Sequence, residues 1–141
     1  MSVNNILNII IPGQPQAKQR SRKGAHGNWY NPQEKEEHET KKEIKKQLSE
    51  NFVIIPSGIP VRCNMTFFFQ LPKSILQSKK KLVMYAEDDI PCLNKKDIDN
   101  CHKFFMDSMN EIIWHDDNQV YSSLIEKYYS EKPRTEIEII W

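Results

Sequence analysis

Residues 61–70, VRCNMTFFFQ, alternate between apolar and polar side chains over ten positions. Side chains in a strand point to opposite faces with period two, so Val61, Cys63, Met65, Phe67 and Phe69 share one face and Arg62, Asn64, Thr66 and Gln70 the other. A helix would scatter these residues around its circumference. The segment is therefore a strand with one buried face, and the rest of the chain must supply both its neighbours in a sheet and the layer that covers it.

The remaining elements follow from periodicity and punctuation. Residues 5–11, NILNIII, read as a buried strand stopped by Pro12-Gly13. Residues 12–30 have no periodicity and read as a long loop. Asn31-Pro32-Gln33-Glu34 has the form of a helix start, with Asn31 as cap, Pro32 in the first helical position and Glu34 reaching back. That helix is expected over 32–50, mostly wet, with Ile44, Leu48 and Phe52 as its apolar seam. Residues 72–96 read as a basic, irregular connection with one short helix around 74–85. A second long helix is expected over 98–113, where Ile98, Cys101, Phe104, Phe105, Met109, Ile112 and Ile113 fill one side and Asp99, Lys103, Asp107 and Asn110 the other. Residues 114–118 turn the chain. Strands at 119–129 and 134–141 are then joined by the short link 130–133 and are expected to pair as a hairpin. The order is β-α-β-α-β-β. This predicts a small single α/β (α+β) domain over 1–141, with a mixed sheet carrying two main helices.

No apolar run approaches the ~20 residues of a membrane helix. The start MSVNNILNII lacks the basic region and small-residue cleavage site of a leader. Three widely spaced cysteines without a CxxC pair, Cys63, Cys92 and Cys101, suit reduced thiols and a cytoplasmic setting. The formal net charge is only +1, but it is unevenly spread. Residues 12–30 carry Lys18, Arg20, Arg22 and Lys23 with no Asp or Glu, and residues 70–81 carry Lys73, Lys79, Lys80 and Lys81 with none either. Local fields decide whether a polyanion is attracted, so these are candidate phosphate contacts, with solvated loops as the plain alternative.

The chemistry lies in KKDIDN (95–100) and HDDNQV (115–120). In an extended segment Asp97 and Asp99 project from one face, roughly 7 Å apart, close enough to share a hydrated cation. Asp99 is also placed to cap the following helix. A helix of about 14 residues spans some 21 Å, so Asp116 and Asp117 start at its far end and reach the first pair only if the next strand runs back beside them. A turn rich in Asp and Asn also arises for conformational reasons alone. Clustered carboxylates repel unless a cation sits among them, and hard oxygen donors select magnesium, with manganese as a substitute. Lys103, one turn after Asp99, is a candidate to stabilise charge at a phosphate; a helical ion pair with Asp99 or Asp107 explains it equally simply. Other sites fail on spacing. An EF-hand starting at Asp97 would have His102 in place of its glycine and Ser108 in place of its last carboxylate. Cys92, Cys101, His102 and His115 follow no zinc-ligand spacing.

KKDIDN, Lys103 and FFMDSMNEIIWHDDNQV together resemble the RusA family of Holliday junction resolvases: an Asp-x-Asp-Asn box, a lysine four residues on, an Asp-containing helix and a Trp-x-Asp-Asp turn before a strand. Weaker likeness extends to PGQPQAKQRSR (12–22), Tyr30-Asn31-Pro32 and the last two strands. The resemblance implies a homodimeric, magnesium-dependent endonuclease that cuts four-way DNA junctions by paired symmetric nicks, of a kind frequent in prophages. It implies Asp97, Asp99 and Asp117 as metal-binding carboxylates, Lys103 as the catalytic lysine and Asp116 as an accessory acid. Lys96 stands where the family often has Pro, and its charge would add to DNA affinity. Cys101 and His115 also depart from the usual residues, but no carboxylate is missing.

A two-fold dimer would match the approximate symmetry of a four-way junction. Trp29, Tyr30 and Phe68 are candidates to stack on bases at the crossover, though aromatics more often belong to a core. Two rival functions stay open. One is a broader nuclease of flaps and forks. The other is a non-catalytic DNA-structure binder whose acids hold a structural cation.

Overall fold

The computed structural model describes residues 4–141. Its centre is the alternating segment, strand β4 (Val61–Gln70). Val61, Cys63, Met65, Phe67 and Phe69 are all buried, as the alternation requires. The elements before β4 are strand β1 (Ile6–Pro12), the two short strands β2 (Arg22–Lys23) and β3 (Trp29–Tyr30), and helix α1 (Glu34–Gln47). After it come helices α2 (Lys73–Leu76), α3 (Lys79–Met84) and α4 (Ile98–Met109), a 3-10 turn at Asp117–Gln119, and strands β5 (Val120–Ser122), β6 (Ile125–Ser130) and β7 (Arg134–Ile140).

The sheet is mixed. β7 lies antiparallel between β1 and β4, while β5 and β6 pair in parallel with the start and the remainder of β4 on its other side. Helices α1 and α4 cover one face, where Ile44, Cys101, Phe104, Phe105 and Met109 meet the inward residues of β4, Ile9 and Ile11 of β1, and Ile137 and Ile139 of β7. The Phe105 ring packs on Phe67 with 5.9 Å between centroids and edge-on to Phe104 at 5.1 Å. The opposite face stays polar, with Asn64 donating to Glu138 across it at 3.1 Å.

Several expectations are corrected. The last two strands do not form a hairpin, because β4 lies between them. A short link looks like a hairpin turn in sequence, but the most apolar strand takes the middle of the sheet, and residues 131–133 carry the chain past its end. The segment 119–129 is not one strand: it breaks between β5 and β6, where Asn64 Oδ1 accepts the Leu124 N–H at 3.0 Å. β1 is an edge strand rather than one buried on both faces, and Ile6 and Ile10 are exposed. The first helix begins later than its apparent cap suggests. Asn31 Oδ1 accepts the N–H of Gln33, which occupies the cap position, so Pro32 lies before the helix and Glu34 opens it. The second long helix ends at Met109, because Asn110 turns extended and Glu111 adopts φ +66°. The connection after β4 holds two short helices instead of one, and the loop 12–30 contains the β2–β3 ladder.

Candidate functional site

Strands β1, β4 and β6 all run in one direction, with β7 reversed among them. Pro12 and Phe68 both face Arg134 in register, so β1 and β4 end at the same level. From those ends leave the loop 13–30 and the segment 71–97. The segment 71–97 then turns back along β6, where Tyr129 N–H donates to Ile90 O and Cys92 N–H to Lys127 O, so the Asp97–Asp99 box is reached beside β6; the loop 13–30 meets the same helix start through the Lys18 N–H to Asn100 O bond at 2.8 Å. Arg20, Arg22, Lys23, Lys73, Lys79, Lys80, Lys81 and Lys96 are all exposed.

Lys18 behaves differently from the other cations. Its Nζ lies 2.8 Å from Glu37 and 3.3 Å from Asp107, and its backbone N–H donates to Asn100 O at 2.8 Å. Burial pulls its pKa down, but the hydrogen bond and charge of Glu37 and the charge of Asp107 outweigh that and hold it above the usual lysine value. Lys18 thus ties the basic loop to α1 and α4, and its charge is spent on internal carboxylates.

Asp97, not Asp99, caps α4: its Oδ1 accepts the Asp99 N–H at 2.8 Å. Both carboxylates are exposed and adjacent at the helix start. The turn before them is held from the sheet. Lys127 on β6 extends its ammonium to Lys96 O at 2.7 Å, Asn94 Oδ1 at 2.9 Å and Asn94 O at 3.0 Å. Three hydrogen bonds to one charged donor fix where the chain enters the box. Asp99 also acts on His102, whose ring lies 3.2 Å from Ser123 Oγ; burial lowers the His102 pKa more than Asp99 raises it.

Along α4, Asp99, Lys103 and Asp107 stand at intervals of four residues and form one polar stripe. Lys103 is exposed and, among the described residues, joins no ion pair, because Asp107 is engaged by Lys18. At the far end, Asp116 caps the 3-10 turn, accepting the Asn118 N–H at 3.3 Å, while Gln119 accepts the N–H of His115 at 3.0 Å and of Asp116 at 3.3 Å. Asp117 is half-buried beside Asp116, Asp107 and Asn110. Burial, then the hydrogen bond and charge of Asp116 and the charge of Asp107, push its pKa up against the opposing hydrogen bond of Asn110. Asn110 is itself held by the Trp114 indole N–H at 2.8 Å.

The acids thus form two groups. Asp97 and Asp99 stand at the start of α4, while Asp117 feels Asp116 and Asp107; Asp107 is itself on α4, two turns and about 12 Å beyond Asp99. Among the described residues no three His, Cys, Asp or Glu side chains converge as a metal-binding group. The topology accounts for this. Asp117 precedes β5, which pairs with Val61 at the start of β4, whereas Asp97 follows the loop from the end of β4. A strand running back beside the first pair, the condition for joining all three, begins only after Asp117 and reaches the box with Lys127 instead.

Cys63, Cys92 and Cys101 are free and buried, with burial pushing the Cys63 thiol to about 12 and Cys101 to about 11. Of the candidate stacking residues, Phe68 is buried under the Arg134 guanidinium, 3.9 Å from its ring centroid, and stacks on Tyr128. Trp29 and Tyr30 are exposed. Sequence reasoning gave no role at the box to Lys127 or Asn94, and nothing in their local pattern marks them. Asp107 was visible as the third member of the polar stripe, two turns after Asp99.

The family described as Endodeoxyribonuclease RusA matches this chain over residues 12–140. The chain belongs to the RusA endodeoxyribonuclease family. Family members are hydrolases that act on DNA. A Bacillus subtilis (strain 168) protein described as uncharacterized protein YqaN is 36% identical to it over 80 residues, which cover 57% of this chain and 56% of that protein. The matched stretch thus spans little more than half of that relative. Among the described residues no helix is long and apolar enough to cross a membrane.

Proposed function

We propose that this protein is a magnesium-dependent DNA endonuclease that resolves four-way junctions as a homodimer, by paired symmetric nicks. The observation that carries the reading is the exposed Asp97–Asp99 pair, fixed by a helix cap, at a helix start to which the basic loop 13–30 is bonded through Lys18 N–H and Asn100 O. The exposed cations of 20–23 and 73–81 hold the phosphates, while the carboxylates face the scissile bond.

The donor set fits a hydrated divalent ion. Asp97 and Asp99 offer exposed hard oxygens, and one oxygen of Asp97 is already committed to the Asp99 N–H. Magnesium keeps several waters and needs only one or two protein carboxylates. Such an ion, held by Asp97 and Asp99, supplies Lewis acidity and lowers the pKa of water near the phosphodiester. Manganese suits the same donors. Lys103, one turn along and free of internal pairing, supplies positive charge to the phosphate oxygens as negative charge builds on them. Lys127 keeps the two carboxylates in place. Asp117 and Asp116 have a role in cutting if they act on the same DNA from the other end of α4, or from the second subunit.

The separation of Asp117 from the box favours a second reading, in which the protein binds branched DNA and its acids hold only a structural cation. A synthetic four-way junction, incubated with and without magnesium, separates the two. Catalysis predicts magnesium-dependent nicks at symmetric positions that vanish in Asp99→Asn while junction binding persists. Equal cutting by Asp99→Asn removes the box from the chemistry, and binding without cutting under any divalent ion supports the second reading. Unpaired nicks on flaps and forks would indicate the broader nuclease.

A further inference from the structure

The β2–β3 hairpin leaves the sheet edge from a rigid base. The buried Gln33 side chain donates to Ala17 O and accepts the Gln19 N–H, both at 2.7 Å, and Lys18 N–H is bonded to Asn100 O at 2.8 Å. Beyond this clamp the chain forms a ladder of two residues per strand, with Arg22 opposite Tyr30 and Lys23 opposite Trp29. The tip closes through Gly24 N–H to Asn28 O at 2.7 Å and through Gly27, which sits at φ +84°.

Nothing in the interior accounts for the aromatic pair. Trp29 is 70% exposed and Tyr30 50%. Among the described residues neither ring packs on another aromatic ring. So small a ladder has no core of its own, and isolated hairpins are marginal in water. The rings are held out between cations: each is cross-strand from a basic residue, and Arg20 precedes them. On the side facing α1 they border an open groove of about 570 Å³ with His38 and Lys41 on its wall. Two acids lie there as well. Glu37 is taken up by Lys18 and by Asn31, at 2.8 Å and 2.9 Å, and Glu34 stays exposed.

We propose that this hairpin is a base-stacking finger: Trp29 receives an unpaired nucleobase at a DNA branch point, while Arg22 and Lys23 hold the flanking phosphates. An exposed aromatic between cations suits single-stranded bases, which offer a π-face whatever their sequence, and suits paired duplex poorly, because its bases are already stacked. The finger therefore gives structure selectivity without sequence readout. The inference rests on the branched-DNA reading above, and its test is arranged so that the two fail separately.

The probe is a four-way junction with 2-aminopurine beside the crossover, titrated with the Asp99→Asn protein so that no cutting intervenes. The 2-aminopurine emission is expected to change on binding, and a second Trp29→Ala substitution is expected to abolish that change. It is also expected to weaken junction binding by about 5- to 150-fold, leaving binding to plain duplex within about twofold. Trp29→Phe restores most of both signals if stacking is the cause, which separates stacking from loss of the hairpin fold. If the Trp29→Ala protein binds the junction with unchanged affinity and unchanged emission, the finger is wrong while the nuclease reading stands. A parent protein that fails to prefer the junction over duplex removes both.

Discussion

The two ends of α4 carry the same residue type under different physical conditions. At its start, Asp97 and Asp99 lie in water, fixed by a helix cap and by a turn that Lys127 holds from the sheet. One turn on, Lys103 is exposed and joins no ion pair among the described residues. At its end, Asp117 is half-buried beside Asp116 and Asp107, and Asp107 shares Lys18 with Glu37. One end is an acid pair open to a cation and a polyanion. The other is a group of carboxylates that strain against one another until something positive arrives. The first end is thus open to a cation, whereas at the second, among the described residues, only Asp107 has a lysine partner and Asp117 is pressed by burial and its acidic neighbours.

The sharpest way to break this comparison is to remove one carboxylate at each end. Asp99→Asn is expected to lower junction cleavage by roughly 10²- to 10³-fold or more, with junction binding retained in gel-shift titrations. An equal loss in Asp117→Asn would make both ends parts of one catalytic unit, whereas a small loss would confine the chemistry to the first.

Lys127→Met tests the support beneath the box. It strips the turn at 94–96 of its charged donor, and removing a side chain that orients metal ligands typically costs about 10- to 100-fold. Cleavage is expected to fall within that range and to recover partly at high magnesium. Thermal denaturation should reveal a loss of about 1–3 kcal/mol. Destabilisation with cleavage per folded molecule unchanged would make Lys127 merely structural.

Much of this arrangement was written in local pattern. The alternation at 61–70 marked the central strand, and the stripe of Cys101, Phe104, Phe105 and Met109 marked which face of α4 enters the core. The pairing of the last strands was not legible, since a link of three residues says nothing of whether a third strand passes between its flanks. The position of Asp117 depends on the direction of the crossover from β4 to β6, a tertiary property with no local signature. Lys127 lies in an ordinary-looking strand, and its function exists only because β6 passes below the turn at 94–96.

Asp117 offers a quieter test. Its folded pKa is raised above its ordinary 3.8, so folding favours its protonated form. The stability this contributes is fully present below the ordinary value and is lost as pH rises through the raised one. Asp117→Asn is therefore expected to stabilise the metal-free protein at neutral pH by less than about 1 kcal/mol and to flatten its denaturation profile across weakly acidic pH. An unchanged profile would mean that burial and the neighbouring acids do not press on Asp117 in solution.

The smallest effects belong to the exposed cations. Lys80→Gln or Arg22→Gln is expected to lower the slope of log affinity against log salt by about 0.9 for each duplex phosphate that the side chain neutralises, with the positions of the nicks unaltered. The same exchange at Lys18 should leave the slope unchanged and act on stability, since its charge already has partners within the fold.

The difference between the two ends is tested most directly by locating the ion. A crystal soaked in manganese, read by anomalous scattering, is expected to show an ion between the carboxylates of Asp97 and Asp99, at the start of α4. Manganese bound only among Asp107, Asp116 and Asp117, with none at the start of α4, would contradict this account and move the chemistry to the other end of the helix.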